Sequence, residues 1–323
     1  MCATNKNLDS KWRNFPNLLK SEGISLVSSS SRDQHHHFDL ESYPHAIENY
    51  GVWLPVKNRT LIRVEPVVVN PFQYQKRIEK KYGSIVVISP NELKEPKNLY
   101  WESGYIDFEK IIRTPSNAQS GIALINENKF SFVPGSNYKL RKKVIDEFMD
   151  NEQSVNLAGM NWDKGYAWHF RKQASALRSA IKNHQGAALS QVQFRLQVKS
   201  HWINYAGRVD SAQSFLAQSK FAIVIENDST YVSEKLLNAL IAGCIPIYAG
   251  PSLSKYGIPA KVAINVGKQP SEFVNAYLNT PVPELEEVRR IGQNWIHSED
   301  ARKRWSVTEG FDRLVDIIKL RSS

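Results

Sequence analysis

Cysteine is almost missing from this chain: 323 residues carry two, Cys2 and Cys244. A disulfide framework is therefore not expected, and neither thiol reads as catalytic, Cys244 because it falls inside an apolar strand pattern. Long apolar runs are missing too. No stretch approaches the roughly 18 apolar residues of a membrane span, and the amino end, MCATNKNLDSKWRNF, has no apolar core of the signal-peptide kind. We expect a soluble cytoplasmic protein, attached at most peripherally to the inner face of a membrane through basic surface. No internal repeat is visible. Basic and aromatic residues do not interleave regularly, so a nucleic-acid partner has no motif to support it.

What is present is a globular composition, with 41% hydrophobic and 23% charged residues. Lys and Arg outnumber Asp and Glu by 42 to 32, a net charge of +10 that suits an anionic partner such as a nucleotide. The length is enough for two ordinary domains and a sizeable core.

The most informative stretch is residues 220–251, KFAIVIENDSTYVSEKLLNALIAGCIPIYAGP. Residues 221–225 form an unbroken apolar run, the pattern of a strand covered on both faces, and the polar residues 226–230 follow at its carboxyl end. Ser233 is a good N-cap. Leu236, Leu237, Leu240 and Ile241 share one helical face, Gly243 supplies the stop, and residues 245–248 make a second apolar run. Strand, helix and strand in so short a span predict a βαβ unit with parallel strands. Glu234 suits the first turn of that helix, whereas Lys235 opposes the local field unless an anion lies between it and the free amides. Two readings follow for Lys235: a ligand of a phosphate, or a solvated surface cation.

Upstream, residues 9–22 carry a weak helical pattern and residues 24–27 a short strand. His35, His36 and His37 are consecutive, so their side chains diverge and read as a polar loop rather than a metal site. TLIRVEP (60–66) and SIVVISP (84–90) are short strands flanking a helix-like QYQKRIEKKYG, a small α/β domain in itself. Glu65 ends the first of these strands. It is open to two readings, a strand-end surface acid or a shielded carboxylate acting as general base. The polar residues 94–120 read as the join between domains, which divides the chain at 1–118 and 119–323. Beyond it come a strand at 121–126 and an amphipathic helix at 137–150. Arg141 begins that helix with Lys139 and Lys142, a cluster whose ordinary reading is a solvated face. A helix follows at 167–186, residues 192–202 fit strand and helix equally, and helices near 283–297 and 308–320 close the chain.

Taken in order, G-R-V at 207–209, K-F-A-I-V-I-E-N at 220–227, Y-V-S-E-K at 231–235 and A-G-C-I-P-I-Y-A-G-P at 242–251 resemble glycosyltransferase family 10, the α-1,3/1,4-fucosyltransferases that use GDP-fucose. The resemblance implies a GT-B-like α/β architecture of two Rossmann-like domains facing across a cleft, with an acceptor-side amino half and a donor-side carboxyl half. It implies inverting transfer of fucose to a glycan hydroxyl, in protein glycosylation or surface polysaccharide biosynthesis. By position, Lys235 would meet the donor phosphates and Glu234 the ribose hydroxyls. Asn227 and Tyr231 would line the nucleotide site, Arg141 would be a second phosphate cation, and Arg208 and Glu226 complete the donor set. Glu65 would be the base. No D-x-D triplet occurs, which argues against a divalent-metal clamp, so no metal cofactor is expected. Two departures stand out: the spacer of Asp228, Ser229 and Thr230 is short, and Ser233 replaces the usual threonine. The short spacer leaves open a different donor, and loss of Glu65 function would give a non-catalytic nucleotide-sugar-binding protein of the same fold with Glu234 and Lys235 undisturbed.

Overall fold

The computed structural model describes residues 21, 46–47, 59–63, 65–69, 71–102, 104–108, 118–129, 131, 133–163 and 204–322. The three histidines, the strand expected at 24–27, the helix expected at 167–186 and residues 192–202 lie outside them, as does the helix expected at 9–22 apart from Ser21. The chain divides into two compact units. One takes the described residues up to Arg63, then Gln75–Asp107 and everything from Lys303 on; the other takes Glu65–Tyr74 and Phe108–Arg302.

The first unit is built on a four-stranded parallel sheet in the order β1 (Ala46–Ile47), β2 (Arg59–Arg63), β3 (Ser84–Val87) and β4 (Asn98–Tyr100). β3 is buried throughout, as expected of a central parallel strand. Between β2 and β3 the chain forms a 3₁₀ turn at Pro71–Tyr74 and one helical turn, α1 (Lys76–Glu79). Arg63 is buried and forks onto Glu79 at 2.8 Å and Glu92 at 2.7 Å, so its charge is paired where it is desolvated. Residues 94–120 were expected to join two domains. The boundary between the two units falls inside this segment, between Asp107 and Phe108. Before it the segment also supplies β4, at a half-exposed sheet edge, and Trp101, which buries its ring and donates to the Gly310 carbonyl at 2.6 Å.

The second unit holds a five-stranded parallel sheet in the order β6-β5-β7-β8-β9, from β5 (Ile122–Ile125), β6 (Val155–Ala158), β7 (Phe221–Ile225), β8 (Ile245–Ala249) and β9 (Ile264–Asn265). Phe221, Ile223 and Ile225 of β7 share one core with Ile245, Ile247 and Ala249 of β8. Helices α2 (Tyr138–Asp150) and α5 (Pro270–Asn279) contribute Val144, Phe148 and Phe273 to it. The intervening strand residues, Ala222, Val224 and Tyr248, point the other way, because side chains alternate along a strand. Helix α4 (Glu234–Ile241) packs on β7 and β8 and against α6 (Val282–Ile296), with Leu236, Leu237 and Leu240 fully buried. Ser233 caps α4, its side chain accepting from the Lys235 amide, and Gly243 at φ +78° ends it as expected. The short α3 (Ala212–Leu216) precedes β7. After α6 come α7 (Glu299–Trp305) and α8 (Val307–Ser322). Among the described residues no helix is long and apolar enough to cross a membrane.

In sequence order the second sheet runs second, first, third, fourth, fifth. Neighbours of β5 therefore lie on both its sides, and the chain leaves β5 and β7 in opposite directions across the sheet. The carboxyl ends of two such strands border a crevice, the general ligand position of open α/β sheets.

Candidate functional site

Polar residues gather where β5 and β7 end. The backbone of Asn137, the residue before α2, donates to the Asn227 carbonyl at 2.9 Å, and its side chain donates to the Glu226 carbonyl at 3.2 Å. This ties the start of α2 to the end of β7 and brings Arg141, one turn into α2, beneath the crevice. Arg141 is only 3% exposed, unlike Lys139, which is exposed. The solvated-face reading of this cluster therefore fails for Arg141. Its guanidinium donates to the Ile225 carbonyl at 3.1 Å and to Asn227 Oδ1 at 2.7 Å, and stands 4.8 Å from the centre of the Tyr138 ring. Among the described residues no carboxylate pairs with it. Burial lowers its pKa, an effect opposed by the charges around it, Tyr138 and Glu226 first. A buried cation with neutral partners is an unfinished electrostatic arrangement, and an anion completes it.

Lys235 is the second cation. Its ammonium donates to Ser233 Oγ at 2.8 Å, lies 3.5 Å from Glu226 and 3.8 Å from Glu234, and its side chain is 14% exposed. It is neither a freely solvated residue nor a fully occupied one. Glu234 is half exposed, with its side chain at 49%. Glu226 is fully buried: its Oε1 accepts from the Ser233 amide at 2.9 Å and its Oε2 from the Ser233 hydroxyl at 2.6 Å. Asn227 uses both ends of its amide, accepting from Arg141 and donating to the Tyr231 hydroxyl at 2.6 Å. Arg208 is exposed on the loop beyond Tyr205, which bridges Leu157 of β6.

Glu65 belongs to this same unit, not to the amino-terminal one in which its place in the sequence put it. β2 ends at Arg63, and the chain turns at residues 67–69 with Val69 bonded back to the Pro66 carbonyl. Among the described residues the Glu65 carboxylate has neither a hydrogen bond nor an ion pair. Burial raises its pKa, the nearby charge of Glu234 raises it further, and Lys129 and Lys235 pull it down. These causes place Glu65 in the electrostatic neighbourhood of the α4 start. A carboxyl group with a raised pKa and free lone pairs has what a general base needs.

Several members of the site were not singled out in the sequence. Tyr138 has its hydroxyl pushed up to about 12, mainly by burial, so it serves as a neutral ring beneath Arg141. Lys129 pairs with Glu127 at 2.8 Å, and Asn161 donates to Glu127 at 2.9 Å, which links the loops after β5 and β6. Gly159 has φ +117°, and a Cβ there would fall 1.9 Å from the Asn126 carbonyl oxygen. Gly159→Ala is expected to destabilise the fold by at least about 2 kcal/mol, from backbone strain plus the clash, read as a lower midpoint in urea with an unchanged slope. Gly250 serves the other side of the crevice: a Cβ there would meet Tyr248 at 2.3 Å and Glu226 Cγ at 2.8 Å. Cys244, its thiol pushed up to about 12 by burial, bonds to carbonyls and is inert.

No protein-family model and no curated protein matches the chain. Solved structures do. Anabaena Alr3699/HepE, crystallised with UDP-glucose, is similar with a TM-score of 0.53 at 10% identity, over 81% of this chain and 72% of that one. An α1,3-fucosyltransferase crystallised with GDP aligns over 97% of this chain and 87% of its own, at 12% identity and a TM-score of 0.49. A point mutant of S. aureus TarM, crystallised with UDP, aligns over 81% of this chain at 16% identity and a TM-score of 0.45; the chain spans about half, 51%, of its length. At these identities the likeness defines the fold. It is α/β and GT-B-like.

Proposed function

We propose that the chain is an inverting glycosyltransferase whose second unit binds the diphosphate of a GDP-sugar, with fucose as the transferred sugar and a glycan hydroxyl as acceptor. One observation carries this: Arg141 is a buried guanidinium with only neutral hydrogen-bond partners among the described residues, at the strand ends where open α/β sheets take their ligands. Lys235 adds a second cation at the start of α4, where helix amides also favour a phosphate. The choice of guanosine and fucose rests on the ordered match of residues 207–251 to family 10. In this reading Glu65 takes the proton from the attacking hydroxyl. Arg141, Lys235 and the α4 amides stabilise the charge that grows on the leaving diphosphate. In this reading Arg141 and Lys235 do the work a metal would otherwise do, so transfer is proposed to be metal-independent, and chelation should not reduce it.

A second reading keeps the diphosphate site and changes the donor. The short spacer of Asp228, Ser229 and Thr230 favours it, because that loop edges the crevice and Asp228 Oδ1 is held by the Thr230 amide and hydroxyl. HepE, crystallised with UDP-glucose, supplies the alternative to test. A thermal-shift panel separates the two. At 100 times its Kd a ligand of the native state adds about 2.7 kcal/mol, which for a protein of this size raises the midpoint by roughly 4 °C. GDP and GDP-fucose are expected to do so, and UDP and CMP sugars are not. Stabilisation by UDP-glucose alone would move the assignment to the second reading, and a flat response to every nucleotide would contradict both.

A further inference from the structure

Glu226 and Asn227 stand in the middle of the motif, and their hydrogen bonds lead to the two cations of the site. Glu226 is fully buried. One of its oxygens is filled by the Ser233 amide, and the other by the Ser233 hydroxyl at 2.6 Å with the Lys235 ammonium at 3.5 Å. The Ser233 hydroxyl in turn receives Lys235 at 2.8 Å. The lysine is thus held at two points, both of which trace back to Glu226. Asn227 works in the same way one residue on. Its carbonyl oxygen receives Arg141 at 2.7 Å, and its NH₂ group donates to Tyr231 at 2.6 Å, which fixes which way round the amide stands. Tyr231 is itself buried. Glu226 and Asn227 are the two residues after β7, and each reaches a different cation.

We infer that Glu226 and Asn227 are positioning residues that hold Lys235 and Arg141 in place for one diphosphate, Glu226 through Ser233 and Asn227 directly. This rests on the diphosphate reading above and deepens it. The physical reason for such a device is that Lys and Arg are long and lose much rotamer freedom when fixed. Ordering them in the unliganded protein removes that cost from the binding step. The two anchors also differ in kind for a reason. Lys235 is partly exposed and tolerates a charged holder, whereas Arg141 is buried and would be neutralised by one, so its holder is a neutral amide.

The test compares GDP with guanosine, because positioned cations act on the phosphates and not on the nucleoside. Asn227→Asp keeps the size and the acceptor for Arg141 but introduces a charge that pairs with it. GDP affinity is expected to fall roughly 10- to 100-fold, the range of a charged hydrogen bond, and its dependence on salt to flatten. Guanosine affinity should be unchanged. Glu226→Gln removes the charge that holds Lys235 and is expected to give about a 10-fold loss for GDP only. If Glu226→Gln fails to fold, Asn227→Asp decides alone. Wild-type GDP affinity in folded Asn227→Asp protein, or equal losses for GDP and guanosine, would overturn the inference while leaving the donor site intact. If the wild-type protein bound neither GDP nor UDP, the donor reading itself would fall and this inference with it.

Discussion

Glutamine in place of Glu65 is expected to lower transfer roughly 100- to 10,000-fold, the usual contribution of a positioned general base, and to leave GDP binding unchanged. The substitution is nearly isosteric and removes only the ability to accept a proton. In the wild-type protein the rate should rise with pH through a value above the ordinary 4.5 of a glutamate, because burial and the charge of Glu234 hold the proton on. The residual activity of the variant should lose that limb. Stability provides an independent check of sign. A carboxyl whose folded pKa is raised contributes stability that is fully present below its unfolded value and is lost as pH rises through the folded value. Wild-type protein is therefore expected to melt below Glu65→Gln at neutral pH and to draw level with it under acid conditions below about 4.5. Turnover surviving in Glu65→Gln at the wild-type rate would remove Glu65 from the mechanism.

Arg141→Ala is the second large effect. Loss of a buried guanidinium proposed to meet a diphosphate is expected to weaken GDP binding at least roughly 10- to 100-fold, since each charged hydrogen bond is worth about 1.5–3 kcal/mol. The truncation also empties buried space and leaves the Ile225 carbonyl and Asn227 Oδ1 without their donor, so a lower melting temperature should accompany the loss. Arg141→Lys separates the two consequences. It keeps the charge, but a single ammonium cannot reproduce the planar fork, so GDP affinity is expected to lie between those of wild type and Arg141→Ala. Calorimetric titration with GDP on protein shown to be folded checks both. Wild-type affinity in Arg141→Ala would mean that the buried charge serves the fold alone.

The βαβ unit at 220–251 was legible in the sequence almost residue by residue. The reason is local: the apolar run of β7, the Ser233 cap, the spacing of Leu236, Leu237 and Leu240, and the stop at Gly243 each determine their structure through near neighbours. Arg141 was legible as a position but not as a buried one. Its neighbours Lys139, Lys142 and Lys143 gave the segment the look of a solvated basic face. What buries it is contact with Ile225 and Asn227, 84 and 86 residues away, and no local pattern carries that information. The unit to which Glu65 belongs was hidden for the same reason. It follows β2 in sequence, yet its pKa is raised first by burial and then acted on by the charges of Glu234, Lys129 and Lys235. Glu226 and Asn227 show a different limit. Their types fit donor contacts and donor-positioning residues equally well, and their hydrogen bonds to the groups around Lys235 and Arg141 are what motivate the positioning proposal. Within the segment 94–120, which holds the boundary between the units, β4 was not legible, because a half-exposed edge strand has the composition of a loop.

Arg141 and Lys235 are proposed to form a diphosphate site that needs no metal, and everything else said of the donor depends on it. The decisive titration is of the full chain with GDP in the calorimeter in the presence of excess EDTA, beside the Lys235→Ala and Arg141→Ala variants. Saturable one-to-one binding is expected, unaffected by the chelator and weakened roughly 10-fold or more in each variant. Binding that appears only when a divalent metal is restored, or that is equally tight in all three proteins, would contradict it.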